Sequence, residues 1–271
     1  MTDPDGQYVT VSGVPLHYHD SGTGPALLCI HGGAPGADGW GNFGQNVPAL
    51  AKHFRTLVPD LPGYGRSGAP AAAGGGYEQQ AHAFAAMLGE LGITKAHVVG
   101  MATGGAVAMA LALHYPELLD RLVLVSSAGG LPMFTPTPSE GQLLIRDYYR
   151  GDGPSPEKMR RYLQMMLYDK SLITDELVSD RYEKSLHART TDGGPREELW
   201  RDLDRITAPT LIIWGRDNRV QGYDNALFLL NRIRGADLHL YSRTGLWVPF
   251  EQQRKFEDDV IAFLTRPAVN D

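Results

Sequence analysis

Between Val98 and Met109 the chain reads VVGMATGGAVAM, and at its centre stands Gly100-Met101-Ala102-Thr103-Gly104. The spacing is that of G-x-S-x-G with alanine in the place of serine. That pattern marks a nucleophile elbow, a strained strand-to-helix turn that lifts a serine hydroxyl above a sheet. A histidine then takes the hydroxyl proton while an acid holds the imidazole in its working tautomer. Small residues flank the turn because its backbone bends sharply and packs closely. Ala102 has this context and no group that can attack. What remains is backbone chemistry. HGGAPGADGW, from His31 to Trp40, follows the apolar run ALLCI, and a glycine-rich segment there turns an amide toward the elbow. The N–H of Gly33 and the N–H of Thr103, the residue after the elbow position, are the expected donors of an oxyanion hole that side-chain replacement leaves intact.

Other chemistry finds little support. Cys29 is the sole cysteine, so an internal disulfide or a cysteine-based zinc site is excluded, and its place inside ALLCI reads as a small apolar filler. There is no HExxH, CxxC, P-loop or calcium loop, and GGGYE lacks the spacing of a dinucleotide site. No metal and no cofactor are expected. Thr103 and Asp217 neighbour the key positions, but no histidine is placed to activate the one or be oriented by the other. Among nine histidines, His31 belongs to the strand-end motif and reads as structural. His114 lies a helix away from the elbow, about 18 Å at 1.5 Å per residue. The net charge of -6 argues against a general nucleic-acid surface, and KMRRY, from Lys158 to Tyr162, reads as a solvated helix face. The first residues lack a basic start with an apolar run, and no segment reaches the roughly 18 to 20 apolar residues of a membrane span. A cytoplasmic protein with a small-molecule substrate is expected, with a homodimer left open.

The elements that must position these residues follow from the pattern of apolar runs. At 271 residues, 42% hydrophobic and 21% charged, the chain can bury a large core. Tyr8–Val11 and Val14–His19 read as a hairpin. ALLCI, RTLVP, AHVVG and RLVLVSS then read as buried parallel strands, with helices over Gln45–His53, Glu78–Leu91 and Gly104–His114 between them. GAPAAAGGGYE, Gly68 to Glu78, reads as a surface loop. The alternation stops between about Leu131 and Leu203, where charged helical segments replace it. It resumes with TLIIWG as a strand, Tyr223–Ile233 as a helix, ADLHLY as a strand and Val248–Leu264 as a closing helix. The expected fold is α/β, a mostly parallel sheet flanked by helices. The core comprises residues 1–130 and 204–271, with 131–203 inserted as a helical lid.

With these motifs in place, the sequence resembles the α/β-hydrolase superfamily and, within it, the meta-cleavage-product hydrolases, which split a carbon–carbon bond in vinylogous diketone acids from aromatic-ring degradation. The resemblance runs nearly end to end, through HGGAPGADGWGNF, LVPDLPGYGRSG, GGLPMFTPTPSEG, MLYDKSLITDELVSDRYE, IIWGRDNRV and GLWVPFEQ. It implies pocket positions for Ala34, Asn42, Met101, Met166, Arg181 and Trp247. Asn42 falls near the oxyanion hole, Arg181 on a substrate carboxylate or enolate, and Trp247 on the wall; Met166 takes a lid position where the family commonly has an aromatic. It also implies that Ala102, Asn218 and Leu246 replace nucleophile, acid and histidine together.

Three readings follow. The first and preferred one is a cofactor-independent, non-hydrolytic enzyme acting on a conjugated carbonyl, enolate or quinone-like molecule. Gly33, Thr103 and Arg181 would stabilise charge while the substrate supplies its own nucleophile, as in Michael or aldol-type ring closure or tautomerisation, with natural-product biosynthesis as the setting. The second is a small-molecule binding protein that keeps the pocket without catalysis. The third is a carbon–carbon or ester hydrolase, either inactivated by substitution or using displaced residues.

Overall fold

Strands covered on both faces are written as unbroken apolar runs, and every residue of ALLCI, AHVVGM and TLIIWG is buried. In a computed structural model, which describes residues 4–69, 76–187 and 197–267, these runs lie inside one eight-stranded sheet. Its strands are β1 (Gln7–Val11), β2 (Val14–Ser21), β3 (Ala26–Ile30), β4 (Arg55–Pro59), β5 (Ala96–Met101), β6 (Leu119–Val125), β7 (Thr210–Gly215) and β8 (Asp237–Tyr241), in the spatial order β1-β2-β4-β3-β5-β6-β7-β8. The pairs β1/β2 and β2/β4 are antiparallel, and the ladder from β4 to β8 is parallel. Parallel order brings the C-terminal ends of β3, β5, β6 and β7 to one edge, where ligands of open α/β sheets bind.

The helices in chain order are α1 (Gly39–Phe43), α2 (Val47–Leu50), α3 (Tyr77–Glu90), α4 (Thr103–His114), α5 (Glu140–Tyr148), α6 (Pro156–Met166), α7 (Asp175–His187), α8 (Asp224–Arg232), α9 (Val248–Glu251) and α10 (Gln253–Leu264). The two-residue period of the strands sorts the core into halves. Leu28, Ile30, Val98, Leu122, Leu124 and Ile212 face the layer that includes Phe84, Leu111 and Leu229. Leu27, Cys29, Val99, Val123, Leu211 and Ile213 face the layer of Phe43, Phe256 and the side chains of α5 and α6, among them Tyr148, Met159, Tyr162 and Met166. Cys29 is fully buried, and burial pushes its thiol up to about 12, in keeping with a filler role.

Two expected helices are shorter than their apolar spacing implies. In place of Gln45–His53 only Val47–Leu50 is helical, with Pro48 in its first turn; beyond Leu50 the bonds tighten to His53 N–H on Leu50 O. The closing helix is split at Gln252, whose φ of -127° is not helical. Residues 70–75 of the expected surface loop lie outside the described residues. Between β6 and β7 the described residues form helices and no strand.

Candidate active site

Strand β5 runs straight into α4, and the junction is a single residue. Ala102 has φ 48° and ψ -115°, a conformation rare outside glycine and costing about 1–3 kcal/mol. Its neighbours hold it there. The Ala102 N–H donates to Val125 O at 3.0 Å, and its carbonyl accepts from Gly105 N at 3.0 Å and Ala128 N at 2.9 Å. A Cβ on Gly104 would overlap the carbonyl oxygens of Ile30 and His31, so only glycine lets α4 start this close to β3. As the first helical residue, Thr103 has an amide without an intrahelical acceptor. Neither Thr103 N–H nor Gly33 N–H donates to any acceptor among the described residues. The two residues are neighbours, since a Cβ on Gly33 would lie 3.3 Å from Thr103 Cβ.

The loop carrying Gly33 is pinned from beneath. His31 is fully buried; its Nε2 accepts the Leu61 N–H at 2.8 Å, which assigns its Nδ1–H to Gly32 O at 2.7 Å. Burial lowers its affinity for a proton, the nearby carboxylates offsetting only part of that, so His31 is a neutral structural tie. Asp60 joins the same network, accepting from Gly39 N at 2.8 Å and Arg66 N at 2.9 Å and pairing with His17 Nδ1 at 2.8 Å. Burial alone would raise the Asp60 carboxyl. The His17 hydrogen bond, with His31 and the two amides, outweighs it and holds the group below the usual carboxylate range.

Asn218 and Leu246 also gather at this edge. Asn218 Oδ1 accepts from Val220 N at 3.0 Å and Gln221 N at 2.9 Å, while its buried Nδ2 has no partner among the described residues. Asp217 is exposed. Leu246 is 3% exposed, donates its N–H to Met166 O at 2.8 Å, and packs in one buried cluster with Met101, Met166 and Trp247, against which Ala34 and Ala102 lean.

Arg181, on α7, is the most unusual charge in the molecule. It is 2% exposed, with no hydrogen bond or ion pair among the described residues, and its guanidinium carbon lies 4.2 Å over the Trp247 ring. Burial pulls its proton affinity down, against the pull of Asp38, Tyr162 and Asp180. A buried, unpaired guanidinium is expensive unless it meets an anion. Trp247 in turn donates Nε1–H to Asn42 O at 3.3 Å and stacks on Phe250. The Asn42 side chain donates to Asp38 O at 2.9 Å and so reinforces α1. Met166 Sδ accepts from the Tyr162 hydroxyl at 3.4 Å.

A separate pocket of about 550 Å³ opens beside the elbow, lined by Thr103, Ala128, Gly129, Ile145, Val220 and, at its polar side, Arg146 among others. Of the residues singled out from sequence, Thr103 alone lines it; Arg181, Asn42, Met166 and Trp247 belong to the packed region under α6 and α7. Sequence reasoning missed Tyr64, whose hydroxyl donates a long 3.4 Å bond to Gly33 O, and Tyr149, whose buried hydroxyl has no partner among the described residues. No periodicity or spacing links Tyr64 to the elbow; it reaches the Gly33 loop through chain folding alone. The described residues contain no group of histidines, cysteines and carboxylates able to hold a metal, and no helix long and apolar enough to cross a membrane.

A model of the α/β hydrolase fold family matches residues 25–164. Over 264 residues the chain is 38% identical to a 2-hydroxy-6-oxononadienedioate/2-hydroxy-6-oxononatrienedioate hydrolase of Burkholderia vietnamiensis, covering 93% of this chain and 91% of that one. It is 35% identical over 267 residues to a 2-hydroxy-6-oxo-6-phenylhexa-2,4-dienoate hydrolase of Burkholderia cepacia, covering 92% and 91%. Among solved structures, a serine-to-alanine mutant of the meta-cleavage product hydrolase from Pseudomonas fluorescens, complexed with acetates, superposes with a TM-score of 0.86 at 33% identity, covering 96% of this chain and 97% of that one. These relatives overturn the expectation of a non-hydrolytic, biosynthetic enzyme. That expectation weighed three side chains, whereas the likeness to named hydrolases spans the whole chain. The chain belongs to the α/β-hydrolase fold family and is closely similar within it to the meta-cleavage product hydrolases.

Proposed function

We propose that this protein is a carbon–carbon bond hydrolase whose substrate is a 2-hydroxy-6-oxo-dienoate acid of the kind named for its relatives. The observation that carries the reading is Arg181, a buried guanidinium stacked on Trp247 with no hydrogen-bond or ion-pair partner among the described residues. It is a ready counter-ion for the substrate carboxylate. The ketone to be cleaved lies with its oxygen at the amides of Gly33 and Thr103, which act as an oxyanion hole, and its remaining arm extends into the pocket beside Thr103. Residues 131–203 serve as a lid over the core formed by 1–130 and 204–271.

In this reading Ala102, Asn218 and Leu246 stand where the class carries serine, acid and histidine. The covalent route through a serine ester is therefore closed, and water must add to the ketone directly. Oxyanion donors and binding alone retain about 10³–10⁴-fold acceleration over water in triad-deleted serine proteases, which sets the expected scale.

The test is titration of the protein with 2-hydroxy-6-oxo-6-phenylhexa-2,4-dienoate, followed by the absorbance of the conjugated acid at equimolar protein. Saturable binding with accelerated bleaching supports the reading. Binding without bleaching supports a ligand-holding protein, the reading favoured by Ala102 and Leu246 having no proton-transferring group. Absence of both refutes a site for this substrate class.

A further inference from the structure

Thr103 carries a hydroxyl that the fold leaves unsatisfied beside the elbow. Two hydroxyls converge on the bare Cα of Gly33: a Cβ there would lie 2.8 Å from Thr103 Oγ1 and 3.0 Å from Tyr64 Oη, too close for any side chain, so glycine is what lets both hydroxyls stand beside this backbone. Thr103 Oγ1 has no hydrogen-bond partner among the described residues, although the residue lines the pocket of about 550 Å³. Tyr64 Oη makes only a 3.4 Å contact with Gly33 O, at the far limit of a hydrogen bond, so its proton can turn to a nearer acceptor. Burial, with Tyr77 adding to it, raises the Tyr64 phenol further above its ordinary value, so it stays a protonated donor at neutral pH. Thr103 Oγ1 lines the pocket without a partner and the Tyr64 bond is weak, so a small group that both donates and accepts hydrogen bonds completes both of them beside the two free amides. Water is the smallest such group.

We propose that Thr103 Oγ1 and Tyr64 Oη hold the water that attacks the substrate ketone, a role that rests on the hydrolytic reading above. The water oxygen bonds to the carbonyl carbon while the π pair moves onto the carbonyl oxygen at the amides of Gly33 and Thr103. Thr103 Oγ1 takes one proton from the water and passes its own proton to that oxygen, leaving a neutral hydrate. No external acid or base is consumed, and Tyr64 orients the water by donating to it.

The experiment compares Thr103→Val, Thr103→Ser and Tyr64→Phe with the parent, using 2-hydroxy-6-oxo-6-phenylhexa-2,4-dienoate, by affinity titration and single-turnover rate, with thermal melts to confirm folding. Thr103→Val is expected to slow bleaching by about 100-fold with affinity changed by less than about threefold, as for loss of a proton-transfer group. Thr103→Ser restores the rate to within about threefold, and Tyr64→Phe slows it by about tenfold, the worth of one hydrogen bond near 1.4 kcal/mol. A folded Thr103→Val or Tyr64→Phe that bleaches at the parent rate overturns the water-holding role and leaves the hydrolytic reading standing. A parent that binds without bleaching, or does neither, overturns both. Should Thr103→Val fail to fold, Tyr64→Phe alone decides.

Discussion

Installing Ala102→Ser, Asn218→Asp and Leu246→His together is expected to turn a slow hydrolase into a fast one, and the structure sets how the three should couple. The Ala102 backbone already holds the elbow angles, with bonds to Val125, Gly105 and Ala128, so a serine there needs no new backbone strain. Asn218 Oδ1 takes two amide protons while Nδ2 is buried without a partner among the described residues. Asn218→Asp keeps the first arrangement and turns the orphaned donor into an unpaired carboxylate oxygen, which alone costs about 1–3 kcal/mol. Leu246→His supplies a partner, so the two changes should couple favourably by about 0.5–3 kcal/mol in a double-mutant cycle read by urea denaturation. Because serine and histidine act as a unit, Ala102→Ser alone should gain less than about tenfold, whereas the triple variant should approach a gain of about 10⁶-fold. The assay is single-turnover bleaching of the dienoate across all eight combinations. A triple variant that folds, shows the coupling, and still gains less than about tenfold refutes the placement of the elbow over the substrate ketone.

The remaining expectations are independent of that cycle. With His31 buried, neutral and bonded on both nitrogens, the parent rate should change less than about twofold between pH 6 and 8.5, whereas the triple variant should acquire a limb near the imidazole range of about 6.5. Asp60 is held below its unfolded value, so its stabilisation is complete above about pH 4 and fades as pH falls through the folded value. Asp60→Asn should therefore cost about 2–4 kcal/mol at pH 7 and progressively less below about pH 4, as urea unfolding at both pH values will show. Arg181→Met removes a buried charge that has no hydrogen-bond or ion-pair partner among the described residues. It should leave stability equal or raised by about 1–2 kcal/mol while weakening binding of the dienoate acid about 10- to 100-fold, in opposite directions by melting and by titration.

The sheet was legible from sequence because parallel strands buried on both faces leave uninterrupted apolar runs, as in β3, β5 and β7. The elbow was legible because its glycines answer a local steric need, visible at Gly104. The long helix expected over Gln45–His53 was not, because apolar spacing does not register the tightening of hydrogen bonds after Leu50. Arg181 stacks on Trp247, while Asn42 uses its side chain on Asp38 and its carbonyl on Trp247, a division of labour that no motif encodes. Tyr64 and Tyr149 were invisible for a stronger reason. Tyr64 meets Gly33 across 31 residues of chain, and nothing in the local pattern marks the buried, unpartnered hydroxyl of Tyr149. The functional reading erred by letting Ala102, Asn218 and Leu246 outweigh the rest of the chain, whose likeness to hydrolases covers 93% of its length.

The account is tested most directly by the masses of the products after the unmodified protein is incubated at equimolar ratio with 2-hydroxy-6-oxo-6-phenylhexa-2,4-dienoate. It predicts two acids, whose masses sum to that of the substrate plus one water, formed faster than in buffer alone. An isomer of unchanged mass, or the intact acid recovered from a saturated complex, contradicts it.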